Sequence, residues 1–290
     1  MTGAEGFPIL SVMADNLIDT SDDLGLSRVD AARLDAGALR QVIREERWTD
    51  TTIGLGLGQL QANLAIVPKE DAYDFLLFCQ RNPKPVPLLE VLDVGSPIVR
   101  EIAADADVRT DLPRYRVFRN GELESEPLNL VDVWEDDAVG FLLGCSLTFE
   151  QAMLAAGLPL RHIEADTPAP VYITDRQCAP AGKFSGPMVV SMRPIPADQV
   201  ARAVQVTSRY PWGHGAPVHV GDPAALGIAD LSAVDFGHAP NMKDGDIPVF
   251  WGCGITPQLA VESARPRYTF THYAQHMFVS DRSSEADAAL

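Results

Sequence analysis

"FLLGCSLTFEQA" occupies Phe141–Ala152, and "VFWGCGITPQLA" occupies Val249–Ala260. Laid over each other, they share Gly-Cys, a Thr three residues after the Cys, an acid or its amide two further on, and a closing Ala. Each is an apolar run, a sharp glycine-containing turn and a helix start. That pattern places Cys145 and Cys253 at the carboxyl end of a strand and the N-terminus of a helix, where ligands of open α/β sheets bind. Backbone amides there favour an anion and lower a thiol's pKa. Ser146 lies in the first turn, and Thr148 and Thr256 are placed to cap a helix or to offer a hydroxyl to a substrate. In the plainer reading both cysteines are small buried hydrophobes and the glycines only permit a turn. Two copies in matching contexts favour function.

Around these phrases, strands and helices alternate, which predicts an α/β class. A helix is expected through "VDAARLDAGALRQVIREE", started by Ser27 with Asp30. In "TIGLGLGQLQANLAIVP", Gly54, Gly56 and Gly58 alternate with apolar residues and suggest close backbone approach to a strand or a ligand. Gln61 and Asn63 follow as candidate neutral amide contacts. "KEDAYDFLLFCQRNP" reads as a helix stopped at Asn82-Pro83, "PVPLLEVLD" as a short strand, and "YRVFRNGELESE" as a hairpin turning at Asn120-Gly121. "RHIEA", "PVYIT" and "GPMVVSMRP" read as three strands, then "ADQVARAVQVTSRY" as a helix and "HMFVSD" as a last strand. The strand-dense centre predicts a smaller α+β insertion at 119–206, inside a main α/β domain of 28–118 and 207–290. Residues 1–27 read as an acidic, partly disordered lead-in.

Composition narrows the function. The chain has 290 residues, 46% hydrophobic, with a net charge of −17. Such a charge argues against nucleic acid and against an anionic membrane surface. Much of it is local: Asp15, Asp19, Asp22 and Asp23 near the start, Glu285 and Asp287 in the tail, which reads as solvated ends. No apolar stretch reaches the roughly 18 residues that cross a bilayer, and the start lacks a signal-peptide pattern. Cys79, Cys145, Cys178 and Cys253 show no CxxC pairing, as expected of a reduced, cytoplasmic protein. A small anionic substrate remains compatible with a locally positive pocket, and a homodimer remains open.

Five of the six histidines follow residue 213: His214, His219, His238, His272 and His276. "HGAPVHVGD" is a shaped loop in which His214, His219 and Asp222 are a conceivable metal set. Their spacing matches no firm zinc signature. Loop histidines also serve as general acids and bases, so neither metal nor cofactor is expected. Arg193 ends "PMVVSMRP" and is placed to clamp a carboxylate.

"GLGQLQANLAIVP", "FLLGCSLTFE", "AGKFSGPMVVSMRP", "HGAPVHVGDP" and "PVFWGCGITPQ", in this order, resemble the D-glutamate cyclase family, also described as hydro-lyases. The resemblance covers roughly residues 28–281. It implies a three-layer α/β/α sandwich with an inserted smaller two-layer domain. It also implies a water-eliminating reaction, with closure of D-glutamate to 5-oxo-D-proline as the named activity. Two departures stand out. Where the family commonly reads Tyr-Arg-Thr, this chain has Tyr172-Ile173-Thr174. Where the family reads His-Ala-Pro-Gly-His-Met, it has His272-Tyr273-Ala274-Gln275-His276-Met277. Ile173 and Gln275 are therefore expected to reshape a pocket wall beside His272 and change the substrate.

The leading expectation is a hydro-lyase that closes an amino acid or a derivative to a lactam. His214 or His219 would move protons, helix-start amides near Cys145 and Cys253 would hold an oxyanion, and Arg193 would anchor a carboxylate. Either Cys is an alternative nucleophile. Two other readings stay open: a cofactor-independent racemase working with two thiols, and a non-catalytic amino-acid-binding module.

Overall fold

A computed structural model describes residues 26–165, 167–286, 288 and 289. The acidic lead-in with Asp15, Asp19, Asp22 and Asp23, and Asp287 in the tail, lie outside the described residues. The chain forms a mixed α/β structure built on two antiparallel sheets. In chain order the elements are α1 (Arg28–Ala31), α2 (Ala36–Arg44), β1 (Gln59–Pro68), α3 (Lys69–Arg81), β2 (Leu88–Val91), β3 (Tyr115–Arg119), β4 (Glu122–Ser125) and β5 (Ala138–Gly144). Then come α4 (Leu147–Ala155), α5 (Arg161–Glu164), β6 (Val171–Gln177), β7 (Pro187–Pro196), α6 (Val200–Ser208) and β8 (His219–Val220). The last are β9 (Asp246–Gly252), α7 (Ile255–Ala264), β10 (Tyr268–His272) and β11 (Phe278–Ser283).

The first sheet runs β2-β5-β1-β10-β3-β4, with β11 also paired to β1. β1 is its spine. Its apolar run "LQANLAIVP" is buried throughout, and it pairs with β5 from Ala62↔Gly144 to Pro68↔Ala138. The second sheet runs β6-β7-β9-β8, with β9 paired to β7 from Val190↔Gly252 to Pro196↔Asp246. One copy of the repeated phrase thus supplies a strand to each sheet.

The helices then cross over. Helix α4, following β5 of the first sheet, puts Phe149 and Met153 into a core with Val249, Trp251 and Ile195 of the second. Helix α7, following β9 of the second sheet, puts Ala260 and Val261 into a core with Ala65, Val67, Val139 and Phe141 of the first. Each strand–turn–helix therefore ties the sheets together by burying apolar surface on the far side of its own turn. On the opposite face of the first sheet, Leu64, Ile66 and Phe270 pack against Val99, Ile102, Val108 and Leu112. Those partners come from the irregular chain at 92–112.

Several expectations are corrected. β4 and β5, expected in a small domain at 119–206, belong to the first sheet, because β5 pairs along its whole length with β1. β8 and β9, expected in the main domain, belong to the second. "RHIEA" is helical: Arg161 pairs with Glu164 one turn on and with Asp246. The first expected helix is two, and the Asp35 side chain accepts from Ala38 N–H to start the second. β10 was not expected as a strand. In the tail, Glu285 accepts a hydrogen bond from the Tyr210 hydroxyl. The hairpin turn is as read, with Asn120 and Gly121 at φ 52° and 81°, as a type I′ turn requires.

The tightest contact between the phrases and their surroundings is at Gly144. A Cβ there would lie 1.5 Å from the Trp212 carbonyl oxygen, which is backbone and cannot swing aside. Gly144→Ala should therefore cost about 3 kcal/mol or more, read as a lowered thermal midpoint. A midpoint within a degree or two of the parent would refute this packing.

Candidate active site

At both phrases the strand ends at a glycine, the Cys follows, and the helix starts two residues on. The N–H of Leu147 points at the Cys145 sulfur. Those of Gly254 and Ile255 point at the Cys253 sulfur. The two thiols are near enough to act on each other, since a charge on Cys253 opposes ionisation of Cys145.

Asn63, midway along β1, holds the turns together. Its Nδ2 donates to the Gly144 carbonyl at 2.8 Å. Its amide also lies so close to Gly254 that a Cβ there would sit 2.3 Å from it. The loop Pro211–Gly213 and His214 wedge in from the other side. A Cβ on Gly213 would lie 3.1 Å from both the Cys145 carbonyl oxygen and Thr148 Cβ, and one on Gly252 would lie 3.1 Å from His214 Nδ1. Cys145, Cys253, Asn63, Thr148 and His214 therefore meet at one seam between the sheets.

His214 is 1% exposed and takes a left-handed backbone, φ 76°. Its Nδ1 donates to the Lys84 carbonyl at 2.8 Å, so Nε2 carries the lone pair. Among the described residues that Nε2 has no hydrogen-bond partner, and neither has Thr148 Oγ1. Burial is the main force pushing the imidazole down, to about 4; the Lys84 carbonyl opposes it, and the Arg193 and Lys84 charges add to it. His214 is therefore neutral near pH 7, with one free nitrogen.

Arg193, expected to clamp substrate, is 1% exposed and already engaged. It pairs with Glu150 Oε1, donates to Ser146 and Ser191 Oγ at 3.1 Å each, and stacks against Phe149 and Trp251. His162 Nε2 lies 3.2 Å from the same Glu150 oxygen. Burial alone would raise the Glu150 carboxyl. The charges of Arg193 and His162 and their hydrogen bonds bring it down to about 2. Arg193 and Ser146 thus belong to a neutralised buried network.

Other expected residues fall elsewhere. His219 stands opposite Phe250 on β9, while Arg193 stands opposite Val249. Adjacent strand positions face opposite ways, so His219 lies on the other side of the second sheet, against the Phe250 ring. Its Nε2 meets the Asp222 carbonyl at 2.7 Å, and the Asp222 side chain caps the next turn at Ala224 N–H. Thr256 Oγ1 accepts from Val189 N–H at 2.9 Å. Gln61 is also occupied: Nε2 donates to the Leu55 carbonyl at 2.9 Å and Oε1 accepts from Thr52 Oγ1 at 3.0 Å. His272 accepts from Leu64 N–H at 3.2 Å and touches Gln258. It fills the place where β1 passes from pairing with β10 to pairing with β11. Ile173 is 37% exposed on β6. Gln275, at φ 67°, uses its carbonyl to accept from Thr52 N–H at 2.9 Å. Gln275 lies in the turn between β10 and β11 of the first sheet, and Ile173 lies on β6 of the second. Among the described residues no group of three His, Cys, Asp or Glu is placed to hold a metal ion.

The thiols correct another expectation. Burial pushes Cys145 up to about 12 and raises Cys253, outweighing the helix-start amides at each sulfur. Both are protonated thiols near pH 7. Sequence reasoning missed Glu150, His162 and Lys84. Glu150 was in view as the acid of the first phrase, at the position Gln258 takes in the second. His162 was hidden by the reading of "RHIEA" as a strand.

The D-glutamate cyclase family matches residues 139–281. A protein from Stutzerimonas stutzeri named "Putative hydro-lyase" is 57% identical over 87% of this chain and 95% of its own length. Relatives with the same designation from Bacillus licheniformis and Geobacillus kaustophilus are 54% and 51% identical, over 87% and 88% of this chain and 96% and 97% of their own. The chain belongs to the D-glutamate cyclase family. A solved structure, a nitrogen repressor-like protein from Methanococcus jannaschii, aligns over 87% of this chain and 99% of its own at 10% identity and a TM-score of 0.36. That likeness is too weak to bear on function. No described helix is long and apolar enough to cross a membrane.

The buried charges give a signed pH dependence. Glu150 titrates near 2 when folded, against an ordinary 4.5. Its stabilisation is present above 4.5 and lost as pH falls through 2, roughly 3 kcal/mol in all. His214 and His272 are held near 4, against an ordinary 6.5. The unfolded chain binds protons there that the folded one refuses, so stability also falls from pH 6.5 towards 4. Urea unfolding between pH 2 and 7 should show both windows. Glu150→Gln should lose about 3–5 kcal/mol at pH 7, because Arg193 is left unpaired, and should lack the lower window. An unchanged acid limb in this variant would refute the assignment.

Proposed function

We propose that this protein is a hydro-lyase acting on an amino acid or a close derivative, closing an amine onto a carboxyl group with loss of water. The observation that carries this reading is His214: neutral, buried, and with Nε2 free beside both repeated phrases. When an ammonium and a carboxylate become a lactam and water, the nitrogen gives up two protons and the departing oxygen takes up two. No net acid or base is consumed. A neutral imidazole with one open nitrogen can accept each proton from nitrogen and deliver it to oxygen. The protonated thiols of Cys145 and Cys253 can donate to the carboxyl oxygens, and the helix starts favour the charge developing there. A thioester through either Cys would first require removal of a proton that burial holds tightly.

One observation favours a second reading. The two thiols are electrostatically coupled across the seam, as a two-thiol racemase needs. Solvent deuterium entering the α position without loss of water would select it. Stoichiometric binding without any turnover would point instead to a binding module.

The test incubates purified protein with D-glutamate and a panel of amino acids, and seeks products lighter by one water. His214→Ala should lower kcat about 100-fold or more. His219→Ala, on the far face of the second sheet, should stay within about threefold. Equal rates for His214→Ala and the parent would overturn the proton-relay role.

Ile173 carries the specificity proposal. It offers no charge where the resemblance implies an arginine, and losing a charge-assisted bond to a carboxylate costs about 1.5–3 kcal/mol. Free D-glutamate is then expected to be a poor substrate, improved about tenfold or more in kcat/KM by Ile173→Arg. No change in that variant would remove Ile173 from the specificity set.

A further inference from the structure

A cleft beside the seam is lined on one side by the glycine-rich turn at 54–58 and on the other by the first turns of α4, including Thr148, Glu150 and Gln151. Gly54, Gly56 and Gly58 have φ of 74°, 53° and 83°, a conformation that costs little only for glycine. Among the described residues, the N–H groups of Gly54, Gly56, Leu57 and Gly58 donate to no acceptor. The turn is held in this shape by Gln61, which binds the Leu55 carbonyl and Thr52, and by the Thr52 bond to the Gln275 carbonyl.

The facing wall offers two unequal groups. Thr148 lines the cleft and is 3% exposed, and its Oγ1 has no partner among the described residues. Glu150 is ionised, and its Oε1 takes the bonds from Arg193 and the contact with His162. Its Oε2 receives no donor among the described residues. The cleft therefore carries unfilled donors, the turn amides and the Thr148 hydroxyl, beside an unfilled anionic acceptor.

We propose that this cleft binds the head group of an α-amino acid. The carboxylate lies against the N–H groups of the 54–58 turn and the Thr148 hydroxyl, and the ammonium lies against Glu150 Oε2. A simple carboxylate would leave Glu150 Oε2 without a donor. A simple amine would leave Thr148 and the turn amides unfilled. A zwitterion answers both, and successive backbone N–H groups of a turn suit its carboxylate. The assignment rests on the amino-acid substrate proposed above and adds which groups hold it.

Binding, measured by calorimetry at neutral pH, tests this apart from turnover. The probes are D- and L-glutamate, glutamine and alanine, with their N-acetyl and α-amide derivatives. At least one free amino acid should bind saturably, and blocking either its amine or its α-carboxylate should weaken binding tenfold or more. Thr148→Val, with its fold checked by thermal melting, should weaken it about tenfold, and Thr148→Ser should restore it. The derivative series needs no variant, so an unfolded Thr148→Val leaves the test intact. Derivatives that bind as tightly as the parent compounds, a folded Thr148→Val with unchanged affinity, or no saturable binding by any probe would each overturn the cleft. Binding as described without a water-lighter product would retain the cleft and overturn the hydro-lyase reading. Product formation with KM unmoved by Thr148→Val would do the reverse.

Discussion

The amide of Asn63 stands between Gly144 and Gly254, donating to one turn and packing against the other. No Cβ fits at either glycine, and without those glycines the two turns could not close on one side chain. The remaining site geometry depends on this closure. β1 carries Asn63 into the seam because its run is buried along nearly its whole length, and the crossed helices draw the sheets together on either side of it. Hydrophobic burial supplies the drive, and the close-approach glycines set how near the two cysteines come.

The second constraint is the buried ion pair of Arg193 with Glu150. Burying either charge alone costs several kcal/mol. The pair survives because the guanidinium also reaches Ser146 and Ser191 and lies against two aromatic rings, while the carboxylate also meets His162. Arg193 contributes to the site by holding Glu150, and four of its five N–H groups are engaged by Glu150, Ser146 and Ser191.

Much of this was legible from the repeated phrase. The strand, turn and helix at each copy, the placing of Cys145 and Cys253 at helix starts, and their convergence all follow from glycine, apolar and cysteine spacing. The division between sheets was not legible. "FLLG" and "VFWG" are equally apolar, and only the cross-strand partners, β1 for one and β7 for the other, decide which sheet each joins. His219 and His214 are both loop histidines five residues apart. The two-residue strand β8, which turns His219 to the far face, has no sequence signature of its own. The thiols were misjudged for a related reason: a helix start is visible in sequence, whereas the packing that buries its sulfur is a tertiary property.

The charge states at the seam share one character. His214 is neutral, both thiols are protonated, and the Arg193 and Glu150 charges cancel. A site built this way is poorly suited to expelling or storing a charged intermediate. In the proposed condensation, the reacting ammonium and the reacting carboxylate, two opposite charges on one molecule, would become a neutral amide group and neutral water. Only the two reacting charges would vanish, so a surrounding of low polarity at the reacting groups would favour the product side of that step. Only Glu150 Oε2 and the glycine turn stand apart from this neutrality, and they lie on the cleft side, where a charged amino acid would first be met.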